Sequence, residues 1–168
     1  MTSAESNHHD FVPAMAEIAR EAGALLMGYF AQRVKIEYKG EADLVTVADR
    51  ASEKLIRERI GALWPGHDIL GEEEGLVDTG SDYRWYVDPL DGTTNFAHGF
   101  PMFCISMGLE RAGERIAGVV FDPIHGELFT AERGAGAFLN NHRIHVSPVA
   151  RVSNSLASTC LLYTSRCV

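Results

Sequence analysis

From Asp10 onward the apolar positions Met15, Ile18, Ala19, Ala22, Leu25, Leu26 and Tyr29 recur at three- and four-residue spacing, which predicts a core-facing helix. Asp10 stands where an N-cap is expected, and Pro13 falls in the first turn, where it costs no backbone hydrogen bond. Val34, Ile36 and Tyr38 alternate with Lys35 and Glu37, the pattern of a half-buried strand, and Gly40 closes it. A second helix follows the loop through Glu41 and Asp43, with Ala48, Ala51, Leu55, Ile56 and Ile60 along one face, until Pro65 and Gly66 stop it. Beyond it the texture changes to short β-type runs: Asp68 to Leu70, Arg84 to Val87, Cys104 to Leu109, Ile116 to Phe121, Glu127 to Thr130 and Ala137 to Leu139.

The links between the later runs are too short to hold crossover helices, so those strands pair antiparallel. The stretch Arg133 to Asn141, with its glycines and an Asn-Asn pair, reads as turn and hairpin material. The expected fold class is therefore α+β, two N-terminal helices packed on a mainly antiparallel sheet. At 168 residues and 46% hydrophobic the chain has material for one core, and no repeat or low-complexity tract interrupts it.

Charge narrows the function classes. The 15 Lys and Arg stand against 23 Asp and Glu, for a net charge of −8, which argues against a nucleic-acid partner. Cys104, Cys160 and Cys167 are odd in number and lack the close pairing of zinc ligands, so a disulfide framework or thiolate site is not expected and a reducing, cytoplasmic compartment is. Residues 1–10 are polar and read as a disordered N-terminus rather than a secretory signal, and no apolar run approaches the roughly 20 residues of a membrane span.

Chemistry concentrates between Gly71 and Asp91, where Glu72, Glu73, Glu74, Asp78, Asp82, Asp88 and Asp91 face a single base, Arg84. A solvated acidic loop is the bland reading of such a run. Against it, apolar Ile69 and Leu70 deliver the first acids, and Trp85 to Val87 deliver the second, to strand ends where a partly buried carboxylate needs a cation or several donors. In Asp88-Pro89-Leu90-Asp91-Gly92-Thr93-Thr94-Asn95-Phe96, Pro89 stiffens a turn that lets Asp88 and Asp91 address one centre. Gly92 clears space for a ligand, and Thr93 and Thr94 stand at a possible helix start. An Asp-capped turn with ordinary Thr caps is the competing explanation. Hard oxygen donors of this kind suit magnesium or manganese, and both take phosphate oxygens in their open positions. His98, Cys104, Met102, Phe103 and Phe121 read as structural, the last three as core.

Gly71-Glu72-Glu73 and Trp85 to Phe96 together resemble the two signature segments of the inositol monophosphatase family. Asp43 to Asp49 resembles the family's early motif, Phe100 to Leu109 its next strand, and Gly118 to Ser147 its later hairpins, so the resemblance runs from about Phe11 to Ser155. It implies a magnesium-dependent phosphoric monoester hydrolase acting on inositol 1-phosphate or a related small polyol or sugar phosphate. Two or three Mg2+ ions are implied per site, with Mn2+ as a substitute. By the same resemblance Glu72, Asp88 and the Leu90 carbonyl hold one metal, and Asp88 and Asp91 share another. Thr93, paired with Asp49 and helped by Glu72, orients and deprotonates the attacking water, and the amides of Gly92 and Thr93 grip the phosphate. Substrate-binding positions are then Glu72, Leu90, Asp91, Gly92 and Thr93. Glu73 stands behind the ligands, and Lys39 resembles a basic position of the family's mobile loop.

The family fold is layered α/β/α/β/α, and the full-length protein is implied to be a homodimer. Family members continue through an α/β half with a Trp-Asp-x-Ala-Ala-Gly segment, which this sequence lacks. The expectation is a metal-binding domain over 11–157, a missing C-terminal half, a non-native tail over 158–168 and an impaired site. The alternatives are a phosphatase for adenosine 3′,5′-bisphosphate, histidinol phosphate or fructose bisphosphate, or a non-catalytic metal-binding or protein-interaction fragment.

Overall fold

In the computed structural model of the chain, residues 11–32 and 47–156 are described. The segments 1–10 and 158–168, the expected strand Val34 to Tyr38, and Lys39 lie outside them. Helix α1 (Phe11–Ala31) buries Phe11, Met15, Ile18, Ala19, Ala22 and Leu26, the stripe that its spacing predicts. Helix α2 (Val47–Leu63) is rotated relative to expectation. It buries Ala48, Asp49, Ser52, Glu53, Ile56 and Ile60, while Ala51 and Leu55 are only half-buried. The apolar pattern alone misplaced this face because three of its inward positions are polar.

Among the described residues eight strands form one sheet in the order β2-β1-β3-β4-β5-β6-β7-β8. They are β1 (Asp68–Gly71), β2 (Gly75–Val77), β3 (Tyr83–Asp91), β4 (Cys104–Arg111), β5 (Glu114–Asp122), β6 (Glu127–Glu132), β7 (Gly136–Leu139) and β8 (His142–Ile144), with the short helix α3 (Thr93–Ala97) between β3 and β4. All neighbours are antiparallel except β1 and β3. The expected α+β architecture and mainly antiparallel sheet are present. The pattern did not announce β2 and β8, because three-residue strands are too short to show alternation. The Asn-Asn pair does mark the β7–β8 turn, with Asn140 and Asn141 both at positive φ (48° and 66°), as a tight hairpin requires.

Helices α1 and α2 cover one face of the sheet, α1 on β4, β5 and β6, and α2 on β3. Trp85, Val87, Ile105, Met107, Leu109 and Val119 point into that layer. The opposite face is a concave surface of about 860 Å³, lined among others by Leu70, Glu72, Tyr86, Asp88, Val120 and Phe129. Contrary to the core assignment, Met102 is exposed, whereas Phe103 is buried. Among the described residues no helix is long and apolar enough to cross a membrane.

Two anchors tie the helices to the sheet. Phe11, Trp64 and Trp85 form an aromatic cluster, with ring centroids 5.3 Å apart for Phe11–Trp64 and 4.9 Å for Trp64–Trp85, joining the start of α1 and the end of α2 to β3. Trp85 Nε1 is also hydrogen-bonded to His67 Nδ1 at 3.1 Å. The buried Asp68 carboxylate accepts from Thr79 N (2.7 Å), Thr79 Oγ1 (2.8 Å), Ser81 N (3.3 Å) and Arg84 Nη2 (3.0 Å). The Thr79 bonds, above all, hold its pKa well below the usual carboxylate range.

Truncation Trp85→Ala should lower stability by about 3–5 kcal/mol in a urea titration, through the cavity left at the junction of three elements. For Asp68 the folded-state pKa lies below the ordinary value of 3.8, so its contribution is complete above that value and is lost as pH falls beneath it. Asp68→Asn should therefore lower the melting temperature at neutral pH and flatten its decline on acidification. Equal acid sensitivity of the two proteins would contradict this.

Candidate active site

Three segments meet at one margin of the open sheet face. The first is the loop after β1, where Glu72 lies exposed next to buried Gly71. The second is the end of β3. Asp88 pairs with Ser106 and Asp91 with Cys104, so three steps on β3 match two on β4. That extra residue is a bulge at Pro89 and Leu90, where a proline is tolerated. In an unbroken strand, residues three apart point to opposite faces. The bulge removes this conflict, and Asp91 is near enough to help raise the pKa of Asp88.

The third segment is Gly92 with α3. Gly92 has φ 95°, and a Cβ there would meet the Met102 carbonyl at 3.0 Å and Phe103 Cα at 3.3 Å, so a side chain is excluded on two grounds. Helix α3 begins at Thr93, as the Thr-Thr pair suggested. Its first-turn amides have no intrahelical acceptor. Thr93 Oγ1 donates to the Leu90 carbonyl at 3.0 Å. The chain thus doubles back so that Asp88, Leu90, Asp91 and Thr93 stand together. His98 is an exposed loop residue whose Nδ1 lies 2.8 Å from the Thr94 carbonyl, consistent with a structural role.

Asp49 reaches this cluster from α2. Its carboxyl is 1% exposed and hydrogen-bonded with Thr93, and its pKa is pushed up to about 8 by burial, then by the charges of Glu73 and Glu72. Thr93 has one hydroxyl proton for two acceptors. Given to Asp49 instead, that proton favours the ionised carboxylate and works against the burial that raises its pKa. Asp88 is also raised, by burial first and then by Glu72 and Asp91, while the Leu90 amide at 3.2 Å works in the other direction. Cys104 is half-buried, with its thiol directed at Asp91 Oδ2 (3.7 Å), and burial and the negative charges of Asp91 and Asp88 push its pKa up to about 12. The thiol therefore stays neutral beside the cluster.

Among the described residues, the charges that most raise Asp49 and Asp88 are those of Glu72, Glu73, Asp88 and Asp91, all negative. Arg84, the one base of the acidic stretch, is engaged with Asp68 instead. Such crowding of carboxylates is relieved by a cation, and the donors are the hard oxygens that magnesium or manganese prefers. The Leu90 carbonyl retains a lone pair beyond the one given to Thr93. Among the described residues, however, no group of three His, Cys, Asp or Glu side chains is drawn together as a finished metal cage. The donor chemistry fits a hard divalent ion, while the set is only part assembled.

Of the seven acids, Asp78 turns away to accept from the Gly80 amide, and Glu74 lies 3.5 Å from Arg57. Sequence reasoning missed Ser52, Glu53 and Arg57. Ser52 Oγ donates to the Pro89 carbonyl at 2.9 Å, and Glu53 accepts from the Glu73 amide at 2.8 Å. Their signal was the helical spacing of 49, 52, 53, 56 and 60, visible only if polar residues are allowed on the buried face.

A family model described as the inositol monophosphatase family matches residues 8–167. The inositol-1-monophosphatase of Rhizobium meliloti (strain 1021) is 46% identical over 148 residues, covering 86% of this chain and 56% of that protein. Inositol monophosphatase 2 of Solanum lycopersicum is 43% identical over 155 residues, 89% of this chain and 58% of its own length. The crystal structure of the extragenic suppressor protein suhB from Bartonella henselae superposes with a TM-score of 0.77 at 44% identity, over 83% of this chain and 55% of that one. The chain thus spans a little over half the length of the curated relatives it matches. Both acidic segments, the Gly-Thr-Thr turn and the sheet that carries them fall inside the matched span, and the chain belongs to the inositol monophosphatase family.

Proposed function

We propose that this chain carries the metal- and phosphate-binding part of a magnesium-dependent phosphomonoester hydrolase acting on inositol 1-phosphate or a related small polyol or sugar phosphate. The observation that carries the reading is that Asp88, which lines the open cavity with Glu72, feels the charges of Glu72 and Asp91, while the Asp49–Thr93 pair feels those of Glu73, Glu72 and Asp88. The names of the relatives support the substrate class. A homodimer of the full-length protein and a cytoplasmic location belong to the same reading.

Glu72, Asp88, Asp91 and the Leu90 carbonyl would hold the metal. Bound magnesium would supply a Lewis acid for the phosphoryl oxygens and lower the pKa of a bound water. The chain's own residues do the rest. Thr93 orients the attacking water, and its hydrogen bond to Asp49 offers that water's proton a route to a carboxyl already tuned toward neutrality. The amides of Gly92 and Thr93, at the N-cap and first residue of α3, would donate to the phosphate, fixed donors that need no reorganisation as charge develops.

The test is phosphate release from inositol 1-phosphate. Release should require Mg2+ and vanish in Asp88→Asn, while Asp49→Asn should lower kcat about a hundredfold or more. Metal binding by a chain that releases phosphate from no phosphomonoester would assign it a binding role instead. Because Asp88 is protonated more readily than an ordinary carboxylate, protons compete with the metal. Mn2+ affinity, measured by calorimetry in buffers of different ionisation heat, should rise as pH increases through neutrality, with proton release on binding. An affinity independent of pH there would contradict the assignment of Asp88.

A further inference from the structure

The buried polar stripe of α2 has no counterpart in an ordinary core helix. Asp49, Ser52 and Glu53 fall on one face at i, i+3 and i+4, all are buried, and each engages a different segment of the site. Asp49 meets Thr93, Ser52 meets the Pro89 carbonyl, and Glu53 meets the loop after β1. Glu53 makes the densest of these contacts. Its Oε1 accepts from Arg57 Nε (2.7 Å) and the Glu74 amide (3.2 Å), and its Oε2 from the Glu73 amide (2.8 Å). Arg57 Nη2 in turn donates to the Gly75 carbonyl at 2.6 Å. Gly71 lies so close that any side chain there would overlap Glu53 Oε1.

Gly71, Glu73, Glu74 and Gly75 are therefore each fixed against one buried ion pair, and Glu72 is the residue in their midst. Burying a carboxylate is costly even when paired, and apolar residues of similar volume would hold the same helix against the same sheet without that cost. Fold stability alone gives no reason for Glu53. Resting on the reading of Glu72 and Asp88 as metal ligands, we propose that Glu53 and Arg57 are positioning residues. Their ion pair clamps the backbone on both sides of Glu72, so that its carboxylate is held beside Asp88 before the metal arrives. Partners of this kind behind a ligand are known to set metal affinity through orientation.

The experiment compares the full chain with the variant Glu53→Gln/Arg57→Gln, which removes both charges together and leaves none buried alone. Two readouts are taken, amide hydrogen exchange by NMR and Mn2+ binding by electron paramagnetic resonance. The Glu73 and Glu74 amides should exchange faster in the variant while those of Met107 and Leu109 in β4 do not, and Mn2+ should bind about tenfold weaker or worse. Faster exchange with Mn2+ affinity unchanged would make the pair merely structural and overturn the proposal. So would unchanged exchange at Glu73 and Glu74. If the double variant does not fold, Arg57→Lys serves in its place. It keeps a positive charge beside Glu53 but loses the fork to Gly75, and should weaken Mn2+ binding in the same direction; wild-type affinity there also overturns the proposal. An unmodified chain that takes up no Mn2+, or an Asp88→Asn chain that takes up as much, sinks the ligand reading itself and the positioning role with it.

Discussion

The carboxylate of Glu53 has no exposed surface, and the arrangement of the site depends on how its charge is compensated. A charge removed from water is tolerated only when donors replace the lost hydration. Here the donors come from two sources. Arg57 supplies one from the next turn of the same helix, and the backbone of the β1–β2 loop supplies the others. The helix thereby satisfies its own buried acid by fixing the loop that carries Glu72. Removing one partner of such a pair costs about 3–5 kcal/mol, several times the worth of one exposed ion pair. The neighbouring Ser52 does for the β3 bulge what Glu53 does for the loop, at the smaller scale of a neutral hydrogen bond.

The site these contacts assemble is electrostatically unfavourable by itself. Asp49 and Asp88 are pushed up by burial and by neighbours of their own sign, and the bulge that brings Asp88 and Asp91 to one face of the sheet keeps those charges close. A fold selected for stability would spread such groups apart. Crowded carboxylates held in place by buried contacts are what a hard cation requires, since pre-ordered ligands lose little freedom on binding.

Sheet geometry decides where this happens. The helices occupy one face, leaving Glu72 and Asp88 at the margin of the concave face opposite. Side-chain alternation along β3 sends Trp85 and Val87 into the helix layer and Tyr86 and Asp88 to the other side. One strand therefore anchors the core and presents the chemistry. The bulge comes after the anchor, so the register of the core is undisturbed.

Much of this was legible in the chain. The stripe of α1, the run of antiparallel strands, the Asn-Asn hairpin and the grouping of Asp88, Leu90, Asp91, Gly92 and Thr93 all follow from local patterns, because periodicity, turn chemistry and short sequence separation are local properties. The acidic signatures identified the family for the same reason, being written in consecutive residues. What the sequence could not show was the rotation of α2. Its inward face carries Asp49, Ser52 and Glu53, and hydrophobic periodicity assigns such residues to solvent. Their burial depends on partners 20 to 44 positions away, on Glu73, Pro89 and Thr93. The acidic residues of the candidate site were thus legible in the sequence, whereas their positioning was decided only by tertiary structure, since a buried charge is permitted solely where distant parts of the chain converge to satisfy it.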